Sequence, residues 1–240
     1  MWNSQDKEQF SRVLFDAKPD LTEEEGRKLL EYAAFVVEEN EKVNLTAIKK
    51  PDEFAIKHVV DSLMVLEHVE LKGKRIIDVG TGAGMPGLIW ACVNNDAQFV
   101  LLDSLNKRVA FLERAVSRLG LSNVQAIHYR AEDAGQNRDH RENYQIATAR
   151  AVASLSVLLE YCLPFVEPNG QFIALKGPYV EQETQDGKEA LKVLGGEIST
   201  VINYELPLEM GSRSLVVVRK TAKTPRRYPR KAGTPSKSPL

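Results

Sequence analysis

The sequence predicts an α/β protein: a parallel sheet with helices on both faces, preceded by a helical extension and closed by an antiparallel hairpin. Three observations predict it. From Arg75 to Leu175 short β-type runs alternate with amphipathic stretches, the pattern of a parallel sheet with crossover helices. The first of these runs leads into a loop with four glycines, Gly80 to Gly87. Residues 1–70, by contrast, read as mainly helical.

Within that first segment, Thr22-Glu23-Glu24-Glu25 is a capping box. Leu29, Leu30, Ala33, Val36 and Val37 follow it at helical spacing. Pro51 suits the first turn of a further helix, with Phe54, Val59, Leu63 and Leu66 along one stripe. Val43-Asn44-Leu45-Thr46 reads as the loop between the two. Residues 75–79 form the first predicted strand, and a helix follows the glycine loop to about Asn94. Residues 98–102 are the second strand, and a helix over 105–119 ends at Gly120. Strands three and four are expected at 123–128 and 144–149, a helix at 154–166, and strand five at 171–175. Residues 198–205 and 214–219, joined across Pro207 and Gly211, suit the closing hairpin. Residues 1–72 are thus the extension, 73–220 the sheet domain and 221–240 a tail.

The charge is divided unevenly. The net charge is −1, from 32 Lys+Arg and 33 Asp+Glu. Yet from Arg219 to Leu240 there are eight basic residues and no acidic one, so the rest of the chain carries −9. Such asymmetry points to a polyanionic partner, a nucleic acid or an anionic membrane. The tail from Lys223, Pro-rich and poor in apolar residues, reads as disordered or bound to something. It would supply sequence-independent phosphate binding, and its removal should leave any cofactor site intact.

The remaining composition excludes other classes. The longest clean apolar run, residues 88–93, is far short of the roughly 18 residues of a membrane span. The N-terminus has no basic region leading into an apolar one, which argues against a signal peptide. Cys92 and Cys162 each sit in an apolar stretch and read as buried thiols in a reducing compartment. These features point to a cytoplasmic protein. His58, His68, His128 and His140 lie far apart without metal-ligand spacing.

The glycine loop admits two cofactors. Gly82-x-Gly84-x-x-Gly87, with Asp103 beyond it, matches a dinucleotide fingerprint. Asp78-x-Gly80-x-Gly82-x-Gly84 matches the S-adenosylmethionine (SAM) loop of class I methyltransferases. Charge favours SAM. A carboxylate at the mouth of the loop would repel a pyrophosphate, which such loops otherwise hold on helix N–H groups. SAM instead carries an ammonium and a sulfonium, and Asp78 would attract the ammonium directly or through water. Gly80, not Gly82, also occupies the turn straight after the strand.

The other strand ends agree. Asp103 closes strand two, where it can accept from both ribose hydroxyls, with Ser104 beside it. Strand three leads to Arg130-Ala131-Glu132-Asp133, where this class binds adenine by an acidic side chain or by backbone. Arg150 ends strand four and Lys176-Gly177 strand five. Each has a plainer alternative: Asp103 a helix cap, Glu132 a solvated acid, Arg150 an ion-pair partner, Lys176 a surface residue, Met85 a core filler. Together they assign cofactor contacts to Asp78, Gly80, Gly82, Met85, Asp103, Ser104, Ala131, Glu132 and Arg150.

The chemistry is narrowed by what is missing. There is no Gly-x-Ser-x-Gly elbow, no phosphate-binding Gly-Lys-Ser/Thr, no Asn/Asp-Pro-Pro-aromatic motif for exocyclic amines and no Pro-Cys pair for pyrimidine carbon-5. Guanine N7 fits this poverty, being a lone-pair acceptor with no proton to remove. Catalysis would rest on positioning, with Arg150, Lys176 and His58 as candidates.

The chain resembles the RsmG/GidB family of bacterial 16S ribosomal RNA guanine-N7 methyltransferases from about Asn44 onward. The carriers are Asn44-Leu45-Thr46, His58-Val59-Val60-Asp61-Ser62-Leu63, the loop Asp78 to Gly87, Asp103-Ser104-Leu105-Asn106-Lys107-Arg108, Arg130-Ala131-Glu132, Ala149-Arg150-Ala151-Val152-Ala153 and Ala174-Leu175-Lys176-Gly177. The tail from Tyr228 to Pro235 looks like the Gram-positive branch. The resemblance implies a class I SAM-dependent methyltransferase fold of the Rossmann-like kind. It implies SAM contacts at Gly80, Met85, Asp103, Ala131, Glu132 and Arg150, and methylation of a guanine in the decoding-region stem-loop. The partner would be 16S rRNA or the small ribosomal subunit, with neither metal nor membrane, and a monomer suffices. Loss of such a protein is associated with low-level streptomycin resistance. Met85 stands where the family usually has Phe, which implies altered contact geometry with binding retained.

Overall fold

The computed structural model describes residues 1–150 and 153–240; Ala151 and Val152, part of one family-like motif, lie outside the described residues. Helix α1 (Ser4–Ala17) is capped by Asn3, whose side chain accepts from Asp6 N–H while Asp6 accepts from Asn3 N–H. Helix α2 (Glu23–Val43) starts at the expected capping box on Thr22 and ends at Asn44 in the left-handed conformation. Pro51 opens α3 (Pro51–Phe54), which runs into a π-helical turn, Ala55–Val60, and then α4 (Asp61–Met64). The wider turn rotates the side chains after it, and such turns recur at functional sites.

The sheet then begins. Strand β1 (Arg75–Val79) is followed by α5 (Gly87–Val93), β2 (Gln98–Asp103), α6 (Asn106–Leu119), β3 (Val124–His128), α7 (Ala131–Ala134), β4 (Tyr144–Arg150) and α8 (Leu155–Cys162). Next come β5 (Val166–Lys176), α9 (Glu181–Asp186), α10 (Lys188–Leu194), β6 (Gly196–Glu205), β7 (Ser212–Lys220) and α11 (Thr234–Lys237). The strand order is 3-2-1-4-5-7-6, with β7 antiparallel to both neighbours. Chain order reverses between β1 and β4, so the crevice at their carboxyl ends is the natural ligand position.

Two cores flank the sheet. One packs α1, α2, α5 and α6 with the helices around Phe54; the other packs α8, α10 and the tail residue Tyr228. Trp90, fully buried on α5, joins extension to sheet by donating from Nε1 to the Ser62 carbonyl at 2.7 Å.

Two expectations need correction, and two helices are additions. The helix expected over 154–166 ends at Cys162 and passes through a 3-10 turn, so β5 starts at Val166, five residues early. Helices α9 and α10 had no strong periodic signal and went unread. The tail is not disordered: it folds against its own chain. Arg141 donates to the carbonyls of Thr224, Pro225 and Tyr228. Arg230 grips the buried Glu160 through Nε and Nη2 at 2.9 and 2.6 Å. Lys220 is itself fully buried, bonded to the Leu163 carbonyl and Thr224 Oγ1, and burial lowers its pKa to about 7.

Trp90→Phe should keep most of the packing yet leave the buried Ser62 carbonyl unpaired. Urea unfolding should register a loss of about 1–3 kcal/mol; an unchanged midpoint would mean the bond does not join the two parts.

Candidate active site

The glycine loop is shaped from below and from both sides. Asp78, almost fully buried, accepts from Thr81 Oγ1 at 2.6 Å and Gly87 N–H at 2.9 Å, both on Oδ2. Burial pushes its carboxyl up to about 6, opposed by those two donors. Oδ1 has no hydrogen-bond partner among the described residues. The sequence puts this carboxylate at the mouth of the loop; it lies beneath, with Oδ2 turned into the β1–α5 corner. The backbone can pass so close because residue 87 is glycine: a Cβ there would lie 2.9 Å from Asp78 Oδ2 and 2.6 Å from Leu101 Cδ2.

Above Asp78, the Leu102 carbonyl accepts from the N–H groups of Gly80 and Thr81. Tyr32 on α2 donates to the Ala83 carbonyl at 2.9 Å, so the extension braces the loop, which the sequence did not reveal. Gly82 stands at φ +60°, and a Cβ on it would meet nothing within 4 Å. The loop therefore offers bare backbone to the space above.

That space is a cleft of about 440 Å³. Gly80, Gly82, Met85, Asp103, Ser104 and Arg150 line it, together with His58, Leu45 and Arg108. Asp103 accepts from Gly82 N–H on Oδ2 and from Leu105 N–H on Oδ1. It is therefore a turn former as well as a wall, and each oxygen keeps acceptor capacity for a ligand hydroxyl. Met85 is buried and also lines the cleft, so core filler and cavity wall are both correct for it. Ala131 and Glu132 are placed apart, in a second recess of about 220 Å³ that shares Gly80 and Ser104 with the cleft. Glu132 is buried, not the solvated acid of the plainer alternative. Bare loop backbone, a carboxylate beside it and a second acid one strand over suit a nucleoside carrying a cationic tail.

A further cavity, about 340 Å³, adjoins the cleft at His58 and Arg150. Its walls include Lys57, Asp61, Lys176, Gly177 and Arg213. Arg150 ends β4 and reaches toward His58 Nδ1 at 3.4 Å and Asp61 Oδ2 at 3.7 Å; its Nη1 makes no hydrogen bond among the described residues. A guanidinium only donates, so Nδ1 is the acceptor and the proton sits on Nε2, 2.8 Å from Thr46 Oγ1. Burial lowers the His58 pKa to about 3, and Arg150 adds to the shift. Neutral imidazole is thus the working form. Asp61 is pushed up by burial and pulled back by Arg150, by the Tyr204 hydroxyl at 2.9 Å and by Arg213. Lys176 is tied to Glu183 and to the Ala153 carbonyl, each at 2.8 Å. It is neither free nor a simple surface residue.

Sequence reading missed Lys57, Arg213 and Tyr204. Lys57 follows a stripe that the π turn rotates, and only the β6–β7 pairing brings Tyr204 and Arg213 onto Asp61. Among the described residues, no group of three or more His, Cys, Asp or Glu side chains could hold a metal, and no helix is long and apolar enough to cross a membrane.

Comparison with known proteins agrees with this geometry. The model of the GidB family, rRNA small subunit methyltransferase G, matches residues 25–213. Ribosomal RNA small subunit methyltransferase G of Clostridium botulinum is 48% identical over 226 residues, covering 94% of this chain and 95% of that one. The protein of the same name from Desulforamulus reducens is 46% identical, covering 92% of each. Among solved structures, a SAM-dependent methyltransferase from Aquifex aeolicus superposes with a TM-score of 0.52 at 16% identity, over 71% of this chain and 94% of that one, a likeness of fold. The dinucleotide alternative falls away, and the chain, a SAM-dependent methyltransferase, belongs to the GidB family, rRNA small subunit methyltransferase G.

Proposed function

We propose that the protein methylates N7 of a guanine in the decoding-region stem-loop of 16S rRNA. One observation carries the reading: the cleft over the glycine loop and the cation-lined cavity meet at His58 and Arg150. A donor on one side and a base on the other would face each other there.

SAM, when bound, supplies an electrophilic methyl on its sulfonium. The N7 lone pair forms the new N–C bond as the S–C bond breaks, and positive charge passes from sulfur to the purine ring. No proton leaves, so no general base is needed. The residues of the chain position the reactants. In this reading Asp103 takes the ribose hydroxyls and Glu132 the adenine end, while Gly80, Gly82, Met85, Ser104 and Ala131 form the walls between them. Asp78 acts from beneath, by fixing the loop. Nη1 of Arg150, which lies 3.7 Å from Asp61 Oδ2 but makes no hydrogen bond among the described residues, can donate to guanine O6, leaving N7 free for attack. Lys57 and Arg213 stand where backbone phosphates of the RNA would pass, and Lys176 holds the far wall. His58, neutral and anchored on Thr46, keeps the guanidinium in place. Every group belongs to one chain, so a monomer is sufficient.

Cells lacking the protein should lose one N7-methylguanine from 16S rRNA and gain low-level streptomycin resistance. Full methylation in those cells would overturn the proposal. Asp103→Ala should weaken S-adenosylhomocysteine binding about tenfold to a hundredfold by calorimetry; unchanged affinity would remove Asp103 from the ribose site.

The pH behaviour follows from His58. Its pKa is near 3 when folded and about 6.5 when unfolded. Between those values the unfolded chain binds the proton first, so this residue makes the fold less stable as pH falls. The methyl-transfer rate should be flat from pH 7 to 8, above both His58 and the Asp78 carboxyl at about 6. A tenfold rise per pH unit in that range would demand a general base and contradict the mechanism.

A further inference from the structure

The recess beside the cofactor cleft has a wall that comes from the tail. Gly233 and Ser236 line it together with Gly80, Ser104, Glu132 and Tyr161. Gly233 N–H donates to Glu132 Oε1 at 2.8 Å. Glu132 is buried, with a relative exposure of 6%, yet it has no ion-pair partner among the described residues. A buried carboxylate so placed is costly unless further donors reach it. The tail takes Oε1, which leaves Oε2 for a donor from a ligand in the recess. An exocyclic amine is such a donor.

The tail is held there by its own anchors. Arg230 binds the buried Glu160 by its backbone N–H, Nε and Nη2. Gln136 donates to the carbonyls of Arg226 and Pro229. Pro229 packs so closely on Gly135 that a Cβ there would lie 2.9 Å from its ring. All of these residues flank α7 or face it from α8, and α7 carries Ala131 and Glu132.

We propose that the C-terminal segment is part of the cofactor site: Gly233 orients Glu132 toward the amino group of adenine, Ser236 walls the adenine end, and Arg230 on Glu160 docks both. This rests on the reading of the cleft as the SAM site, with Asp103 at the ribose. It reverses the expectation that removing the tail leaves cofactor binding intact. Gly233, Arg230 and Ser236 are positioning residues.

The test is calorimetry on the full chain with S-adenosylhomocysteine and with S-inosylhomocysteine, which lacks the adenine amino group. Arg230→Met should weaken the first by about tenfold and the second much less, because only the first uses the oriented carboxylate. Arg230→Lys should restore part of the loss. Ser236 is exposed, so Ser236→Trp should fold normally and weaken both ligands by filling the recess. That second variant keeps the test valid if Arg230→Met does not fold. Unchanged affinity in Ser236→Trp, or equal loss of both ligands in a folded Arg230→Met, would overturn the proposal. If Asp103→Ala weakens binding while the tail variants do not, only the tail's role fails. If the wild type binds neither ligand, the reading of the cleft itself fails.

Discussion

The site depends on one buried carboxylate. Asp78 is held at the end of β1, where two donors from the loop above converge on a single oxygen. Those bonds set the path of residues 80–87, and the path in turn determines what the loop can face. Gly80 and Thr81 then bond to the end of β2, Gly82 to Asp103, and Ala83 to Tyr32. Every strand or helix that borders the loop therefore ties it down before any ligand arrives. Order of this kind reduces the entropy that binding would otherwise have to overcome.

The same carboxylate shows why sequence and structure overlap unevenly. The places of Asp78, Gly80, Gly82 and Asp103 in the fold could be read because they follow from local geometry: a strand end, a turn and the next strand end. The alternation of β-type runs and helices likewise came through, down to the antiparallel hairpin. The depth of Asp78 could not be read, since a carboxylate under a loop and one at its mouth have the same neighbours in sequence. Nor could the cluster around Asp61. Arg150, Tyr204 and Arg213 reach it from β4 and from the hairpin, and only tertiary packing sets those distances. The helix containing Pro51 was legible, but its π turn was not, and the turn is what sets Lys57 and His58 at the cavity.

The tail was misread for a different reason. Its composition is that of a disordered segment: basic, proline-rich and short of large apolar residues. Apart from Tyr228 in the core and Pro229 on Gly135, what holds it is polar and specific. Two arginines, Arg141 from the body and Arg230 from the tail, make several of the contacts, on backbone carbonyls and one buried glutamate. Composition counts residues; it does not see their partners. With Arg219 on Glu197, Lys220 near Glu142 and Arg230 on Glu160, part of the tail's positive charge is balanced within the chain. Less is left for RNA than the sum suggested, and the cations around Arg150 gain in relative weight.

The direction of β7 has a consequence in time. Because β7 runs antiparallel to β5, Ser214 lies at the rim with Lys176, and Arg219 lies at the opposite edge with Gln171. The chain leaves the sheet far from the cleft and must cross back over α8 before Gly233 reaches Glu132. Chains emerge from the ribosome N-terminus first. The sheet, the glycine loop and both cavities are therefore complete in sequence before the last wall beside Glu132 exists. A chain cut short in its final residues would carry a formed fold with one end of its pocket open to water.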